Sequence, residues 1–244
     1  MMLLALALLQ AAATPSDAAT EARYERCIDL ATTNPVAARS EAGKWQLANG
    51  GWFAHQCLGM AYATEGGWSA AAVEFEAAAR AAEVAKDKRA AQYWAQAGNA
   101  WLAGGANDKA SAALNSALSA GTLTGLQLGE AHLDRARVLY ATGDLDGARR
   151  DLDAALAVVP EDPLAWLLSA TLARRAGDLP RARKDIAEAE SRTKEAPEVQ
   201  LEKGNIAAAS GDEAGARAAW GIAAVGKGAA AESATRALAQ FYAK

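Results

Sequence analysis

The sequence predicts an all-α protein built as a solenoid of helix–turn–helix hairpins. Three observations carry that reading: a helix-favouring composition, a phrase that returns after 34 residues, and small and bulky residues that recur in register with it. The 244-residue chain is 52% hydrophobic, rich in Ala, and holds only six Pro and three Phe. Ala gives up no side-chain freedom on entering a helix. "GDLDGARRDLDAAL" opens at Gly143 and "GDLPRARKDIAEAE" at Gly177. Gly211 continues the 34-residue interval, and Gly105 and Gly66 extend it upstream with spacings of 38 and 39.

The chain begins "MMLLALALLQAAATPSDA", uncharged as far as Asp17, with an apolar run from Met1 to Leu9 followed by small residues. That is the shape of a signal peptide cleaved near Ala13, although the basic segment that ordinarily precedes the apolar run is missing. The alternatives are a retained anchor, which so short a run disfavours, or the start of a packed helix. Residues 14–51 read as a degenerate helical hairpin, with Asn34-Pro35 as its turn and Gly50-Gly51 as its end. This stretch holds Cys27, and Cys57 follows just beyond it. The pair forms either two buried small hydrophobes or, in an exported chain, a disulfide.

Five units follow, the second to the sixth when the degenerate hairpin is counted as the first, at 52–90, 91–128, 129–162, 163–196 and 197–225. Five residues beyond the landmark Gly of each stands an Ala (71, 110, 148, 182, 216), and seven further another (78, 117, 155, 189, 223). Between them sits a bulky residue: Phe75, Leu114, Leu152, Ile186 or Trp220. Spacings of four and three place all three on one helix face. Seven residues before each landmark the chain is small again, at Gly59, Gly98, Ala136, Ala170 and Gly204, so that two helices can approach closely. The landmark Gly ends the first helix in the left-handed conformation. Asp144, Asp178 and Asp212 cap the next, and Pro163 suits a first helical turn. Extra residues after the second and third units are expected to lengthen the connections between hairpins. Residues 226–244 read as one amphipathic helix, with Ala234, Leu238 and Phe241 on a single face that caps the stack.

The units resemble the tetratricopeptide repeat family. "LGMAYATEGGWSAAAVEFEAAARAA" from Leu58 carries its Leu-Gly, Tyr, Gly, Ala, Phe and Ala at Leu58, Gly59, Tyr62, Gly66, Ala71, Phe75 and Ala78. "YWAQAGNAWLAGGANDKASAALNSAL" supplies Trp94, Gly98, Trp101, Gly105, Ala110 and Ala117, while Pro160 and Trp166 fill the closing Pro and leading aromatic positions further on. The resemblance spans about Trp52–Ala224 and departs from the signature where the fifth and sixth units lack the Tyr. It implies a right-handed superhelix whose concave face is lined by the first helix of each pair, and a role in protein–protein interaction. The polar residues it assigns to that face are Gln92, Gln96 and Asn99, then Asp134 and Arg137, then Thr171, Arg174 and Arg175, then Glu202 and Asn205. These form a mixed row with a basic centre. Asn can bond an extended peptide backbone and Arg can grip a carboxylate; equally, Arg137 and Arg174 can pair with nearby acids such as Asp134. The family's Lys clamp for C-terminal carboxylates is absent, since Gln56, Ala95, Leu133, Leu167 and Leu201 occupy that position.

Other functions find little support. A net charge of −4 leaves no cationic excess for a phosphate backbone, so nucleic acid is not expected as a partner. There is no G-x-S-x-G, P-loop or H-E-x-x-H motif. Asp151 and Asp153 are two apart and point to different helix faces, and the two His, His55 and His132, fall at packed repeat positions. With no third Cys and only two His, a structural zinc site is not expected, nor any other metal, cofactor or catalytic residue. The sequence therefore points to an adaptor that binds a protein or peptide partner in its groove, exported to the periplasm if the N-terminal segment is removed and without stable membrane insertion thereafter. The alternatives are a cytoplasmic adaptor that retains this segment and a self-assembling structural subunit; the oligomeric state is open.

Overall fold

The computed structural model describes residues 17–242, so the segment Met1–Ala13 read as a signal peptide lies outside the described residues. The described chain is helical throughout, in the order α1 Asp17–Thr33, α2 Pro35–Leu47, α3 Gly51–Thr64, α4 Trp68–Val84, α5 Ala90–Ala103, α6 Asn107–Ser119, α7 Gly125–Thr142, α8 Leu145–Val158, α9 Pro163–Arg175, α10 Leu179–Arg192, α11 Pro197–Ala209, α12 Glu213–Val225 and α13 Ala229–Tyr242. Consecutive helices pair as antiparallel hairpins, and the hairpins stack into a right-handed superhelical solenoid. First helices also touch across hairpins, α1 on α3, α5 on α7 and α9 on α11. They therefore form the tighter, inner curve.

The boundaries follow from local chemistry. Gly66, Gly105, Gly143, Gly177 and Gly211 all take positive φ, from 74° to 89°, where an L side chain would be strained. The Asp that follows Gly143, Gly177 and Gly211 accepts a hydrogen bond from a backbone N–H three residues on, at 2.8 Å, 3.1 Å and 2.9 Å respectively. Asn34 caps α2 in the same way and Asp162 caps α9 through the N–H of Leu164, two residues on, each ahead of a Pro in the first turn. The extra residues of the second and third units lie mostly within helices rather than in the connections. α4 runs for 17 residues and α7 for 18, against 13 or 14 for α3, α5, α6, α8 and α12.

Packing within a hairpin is knob-into-hole. The three Ala and bulky positions of every unit are buried, as are the small residues on the first helix. These small residues do more than admit a neighbouring backbone: each receives the bulky knob of the second helix. A Cβ built on Gly59 would lie 2.7 Å from the Phe75 ring, one on Gly98 2.5 Å from Leu114, and one on Gly204 2.4 Å from the Trp220 indole. Where the receiving residue is Ala136 or Ala170, the knob is the aliphatic Leu152 or Ile186. Trp94 and Trp166 are only half-buried, with their indole N–H groups donating to Glu83 and to the Pro160 carbonyl.

The two ends are closed differently. Cys27 and Cys57 are joined by a disulfide that ties α1 to α3, inside a cluster with Trp45, Ala54 and Leu58. At the other end α13 lays Ala234, Leu238 and Phe241 over Trp220, whose ring meets that of Phe241 edge-on at 5.6 Å. No helix among the described residues is long and apolar enough to cross a membrane.

Candidate functional site on the inner face

The first helices carry the polar residues of the inner curve, and most are spent on one another. Tyr24 of α1 donates to Gln56 of α3 at 2.7 Å, and Gln56 in turn donates to Gln96 of α5 at 3.2 Å. Asn99 of α5 donates to Asp134 of α7 at 2.7 Å, and Arg137 donates to the other oxygen of that carboxylate at 3.2 Å. Arg174 of α9 grips Glu202 of α11 with bonds of 2.6 Å and 3.2 Å. Glu202 also accepts from Asn205, whose carbonyl takes the Trp220 indole proton. Polar bridges thus stitch α1 to α3 and α5, α5 to α7, and α9 to α11. Among the described residues no side-chain hydrogen bond joins α7 to α9. An apolar slot of about 270 Å³ opens there instead, between Leu102, Tyr140, Leu168 and Leu172, with Arg137 and Thr171 at its polar edge.

Beside the slot lies a larger cleft of about 550 Å³, walled by α3, α5, α7 and the start of α9. Arg137 borders both cavities. The cleft carries Gln92, Gln96 and Asn99 on one wall and Glu130, Asp134 and Asp162 on the other. Burial lifts the Asp134 carboxyl above its usual pKa, with Asn99 and Arg137 pulling the other way. Glu130 is also raised, by burial first and then by the neighbouring Asp134 and Asp162. It forms no ion pair among the described residues.

The sequence-assigned residues therefore divide. Gln92, Gln96, Asn99, Asp134 and Arg137 meet in the cleft, and Thr171 lies in the slot. Arg174, Glu202 and Asn205 line neither cavity; Glu202 is only 6% exposed, with its oxygens occupied by Arg174 and Asn205. The expected basic centre is absent. Arg137 and Arg174 are paired with acids, Arg175 lies over the Tyr140 ring at 4.9 Å, and the cleft is acidic. Glu130 and Asp162 were missed, although Glu130 stands four residues before Asp134 on one helix face, and Asp162 immediately precedes the Pro that marks the start of α9.

A second set of acids braces the hairpins from within. Eight residues beyond the landmark Gly, Glu74, Asp151 and Asp185 reach back to the first helix of their own pair. Glu74 holds His55 at 2.7 Å, Asp151 holds His132 at 2.9 Å and Arg135 through both oxygens, and Asp185 accepts from Ser169. Burial opposes the Asp151 charge, but Arg135 and then His132 outweigh it and keep the carboxyl below its ordinary pKa. Both His are occupied in structural pairs. The described residues hold no group of three His, Cys, Asp or Glu placed to bind a metal.

A model of the tetratricopeptide repeat family matches residues 133–190 and 167–234. Residues 133–234 are tetratricopeptide repeats. Solved tetratricopeptide structures share the chain's fold at low identity. PilW, described as a widely conserved type IV pilus biogenesis factor, aligns with a TM-score of 0.73 at 17% identity over 89% of this chain and 99% of PilW. PilF of Pseudomonas aeruginosa aligns with a TM-score of 0.67 at 18% identity over 83% and 90%. YrrB, described as carrying an unusual peptide-binding site, gives 0.56 at 17% identity over 70% and 83%. No curated protein matches the sequence. Stacked hairpins of this kind build extended concave surfaces of the sort used for binding.

Proposed function

We propose that the protein is an interaction scaffold that docks a polypeptide segment of a partner along its inner face, between α5, α7 and α9, and that it works in the bacterial cell envelope. The observation that carries the docking reading is the pair of cavities sharing Arg137, the smaller of them at the α7–α9 junction, which no side-chain hydrogen bond bridges among the described residues. The cleft, at about 550 Å³, has the size of an ordinary ligand site. The peptide-binding site named for YrrB supports the same reading. Three features support the envelope: the apolar run and small residues of Met1–Ala13, a disulfide of the kind that persists in oxidising compartments, and the fold shared with PilW.

The test is photo-crosslinking in cells of the native host, with a photoreactive residue at Gln92 in the cleft and, separately, at Val73 on the outer helix α4. Adducts at 92 that disappear in a Thr171→Phe background, with none at 73, are the expected result. Adducts confined to 73 would move the working surface to the outer face. The envelope reading predicts a recovered mass lacking Met1–Ala13 and no alkylatable thiol; a chain that retains this segment with two reactive thiols would refute it.

A further inference from the structure

We propose that the docked segment is cationic and apolar together: a Lys or Arg placed beside Glu130, Asp134 and Asp162, close in sequence to a bulky apolar residue that fills the slot between Leu102, Tyr140 and Leu168. This inference rests on the docking reading and names the chemistry of its partner. Charge is its first support. Three carboxylates face the cleft against the single guanidinium of Arg137, and that guanidinium already donates to Asp134. No other cation of the inner row is spare, because Arg174 is bonded to Glu202 and Arg175 lies over Tyr140. An anionic segment would meet Glu130 with nothing to neutralise it. The Glu130 pKa is lifted by burial first and then by Asp134 and Asp162, and a cation placed among these three carboxylates offsets their repulsion.

Shape is the second support. The slot holds about 270 Å³ and is walled mainly by Leu and Ala side chains. Apart from Arg137, Thr171 and the Tyr140 hydroxyl at its polar points, the lining offers water no partner, so most of the slot holds water poorly. A branched or aromatic side chain fits both the volume and the walls. Because Arg137 borders both cavities, the two anchors sit on neighbouring stretches of one segment, at about 3.3 Å per extended residue. Gln92, which forms no side-chain hydrogen bond among the described residues, offers a donor and an acceptor to the backbone running between them.

The experiment titrates the full-length chain with synthetic capped Gly/Ser peptides and reads the dissociation constant from NMR shift changes. One set carries Lys and Leu separated by one to four residues, a second has Glu for Lys, and a third has Ala for Leu. At one spacing, the Lys/Leu peptide is expected to bind at least ten-fold more tightly than its Glu and Ala counterparts. Glu130→Gln is expected to shrink the Lys-over-Glu ratio to three-fold or less, and Thr171→Phe to erase the Leu-over-Ala ratio. Thr171→Leu is a milder plug should the Phe variant lose helicity. Equal or tighter binding of the Glu/Leu set, still blocked by the plug, overturns the cationic assignment and leaves the docking reading standing. Binding that ignores both variants overturns the inference, as does failure of every set at millimolar concentration. In that last case the crosslink at residue 92 still decides the docking reading on its own.

Discussion

Gly204 offers the sharpest test of the packing rule. Adding a methyl group there places a carbon 2.4 Å from Trp220 Cδ1 and 2.5 Å from Nε1. The indole has little room to retreat, since its N–H is held by Asn205 at 3.1 Å and its ring edge rests on Phe241. Overpacking of this kind costs about 3 kcal/mol, and the better helix propensity of Ala returns about 1 kcal/mol. The net loss for Gly204→Ala is about 2 kcal/mol, or a fall in Tm of about 4–8 °C for a chain of this size. Trp220→Leu alone costs a similar amount, about 2 kcal/mol, through lost burial. The pair should not add, because Ala opposite Leu is the combination already present at Ala136 and Leu152. The double variant is expected about 2 kcal/mol below wild type, against about 4 kcal/mol for independent sites. Urea unfolding followed by circular dichroism measures all four corners. A neutral or stabilising Gly204→Ala, or strictly additive losses, would refute the idea that the glycine exists to receive the indole.

Asp151→Ala strands Arg135 and His132 around a site only 3% exposed and is expected to cost about 3 kcal/mol at pH 7 in the same melts. Because the folded pKa of Asp151 lies below its unfolded value, its contribution is complete above about pH 4 and is lost as pH falls through the folded pKa. The deficit of the Ala variant should therefore shrink in acid. Glu130 has the opposite sign: its raised folded pKa makes the ionised form a liability at neutral pH. Glu130→Gln should raise the melting temperature slightly at pH 7 and leave it unchanged at pH 3. Cys27→Ser with Cys57→Ser removes a link across 30 residues and is expected to cost about 3–4 kcal/mol, with the reduced wild type melting alongside the variant.

The hairpin architecture was legible because it is written in local terms. A landmark Gly and a bulky residue between two Ala act within one or two helical turns and recur five times, with a capping Asp after the last three of those Gly. The register that follows also placed Gln92, Gln96, Asn99, Asp134 and Arg137 together. What the register could not give was how these groups pair, since that depends on reach between helices of different hairpins. Asn99 finds Asp134 across 35 residues, and Arg174 finds Glu202 across 28. Reading only the family's concave positions also left out Glu130 and Asp162, and with them the sign of the cleft's charge. The bracing acids Asp151 and Asp185 were visible as the same letter at the same offset in the two opening phrases. Their burial was not visible, because a charged residue on an exposed-looking helix face is buried only when a partner from the other helix of its hairpin covers it.

A stack of hairpins frays from its ends, where each terminal unit has a neighbour on one side only. In this chain the two ends are unequal. The first hairpin is bolted covalently to the second, so α1 cannot leave the stack without taking α3 with it. The last hairpin has no covalent tie: it is held by packing against α9, α10 and α13 and by the Arg174–Glu202 pair. Unzipping under load or denaturant therefore has a direction: it starts at the carboxyl end, and the acidic cleft near the bolted end is among the last features to come apart.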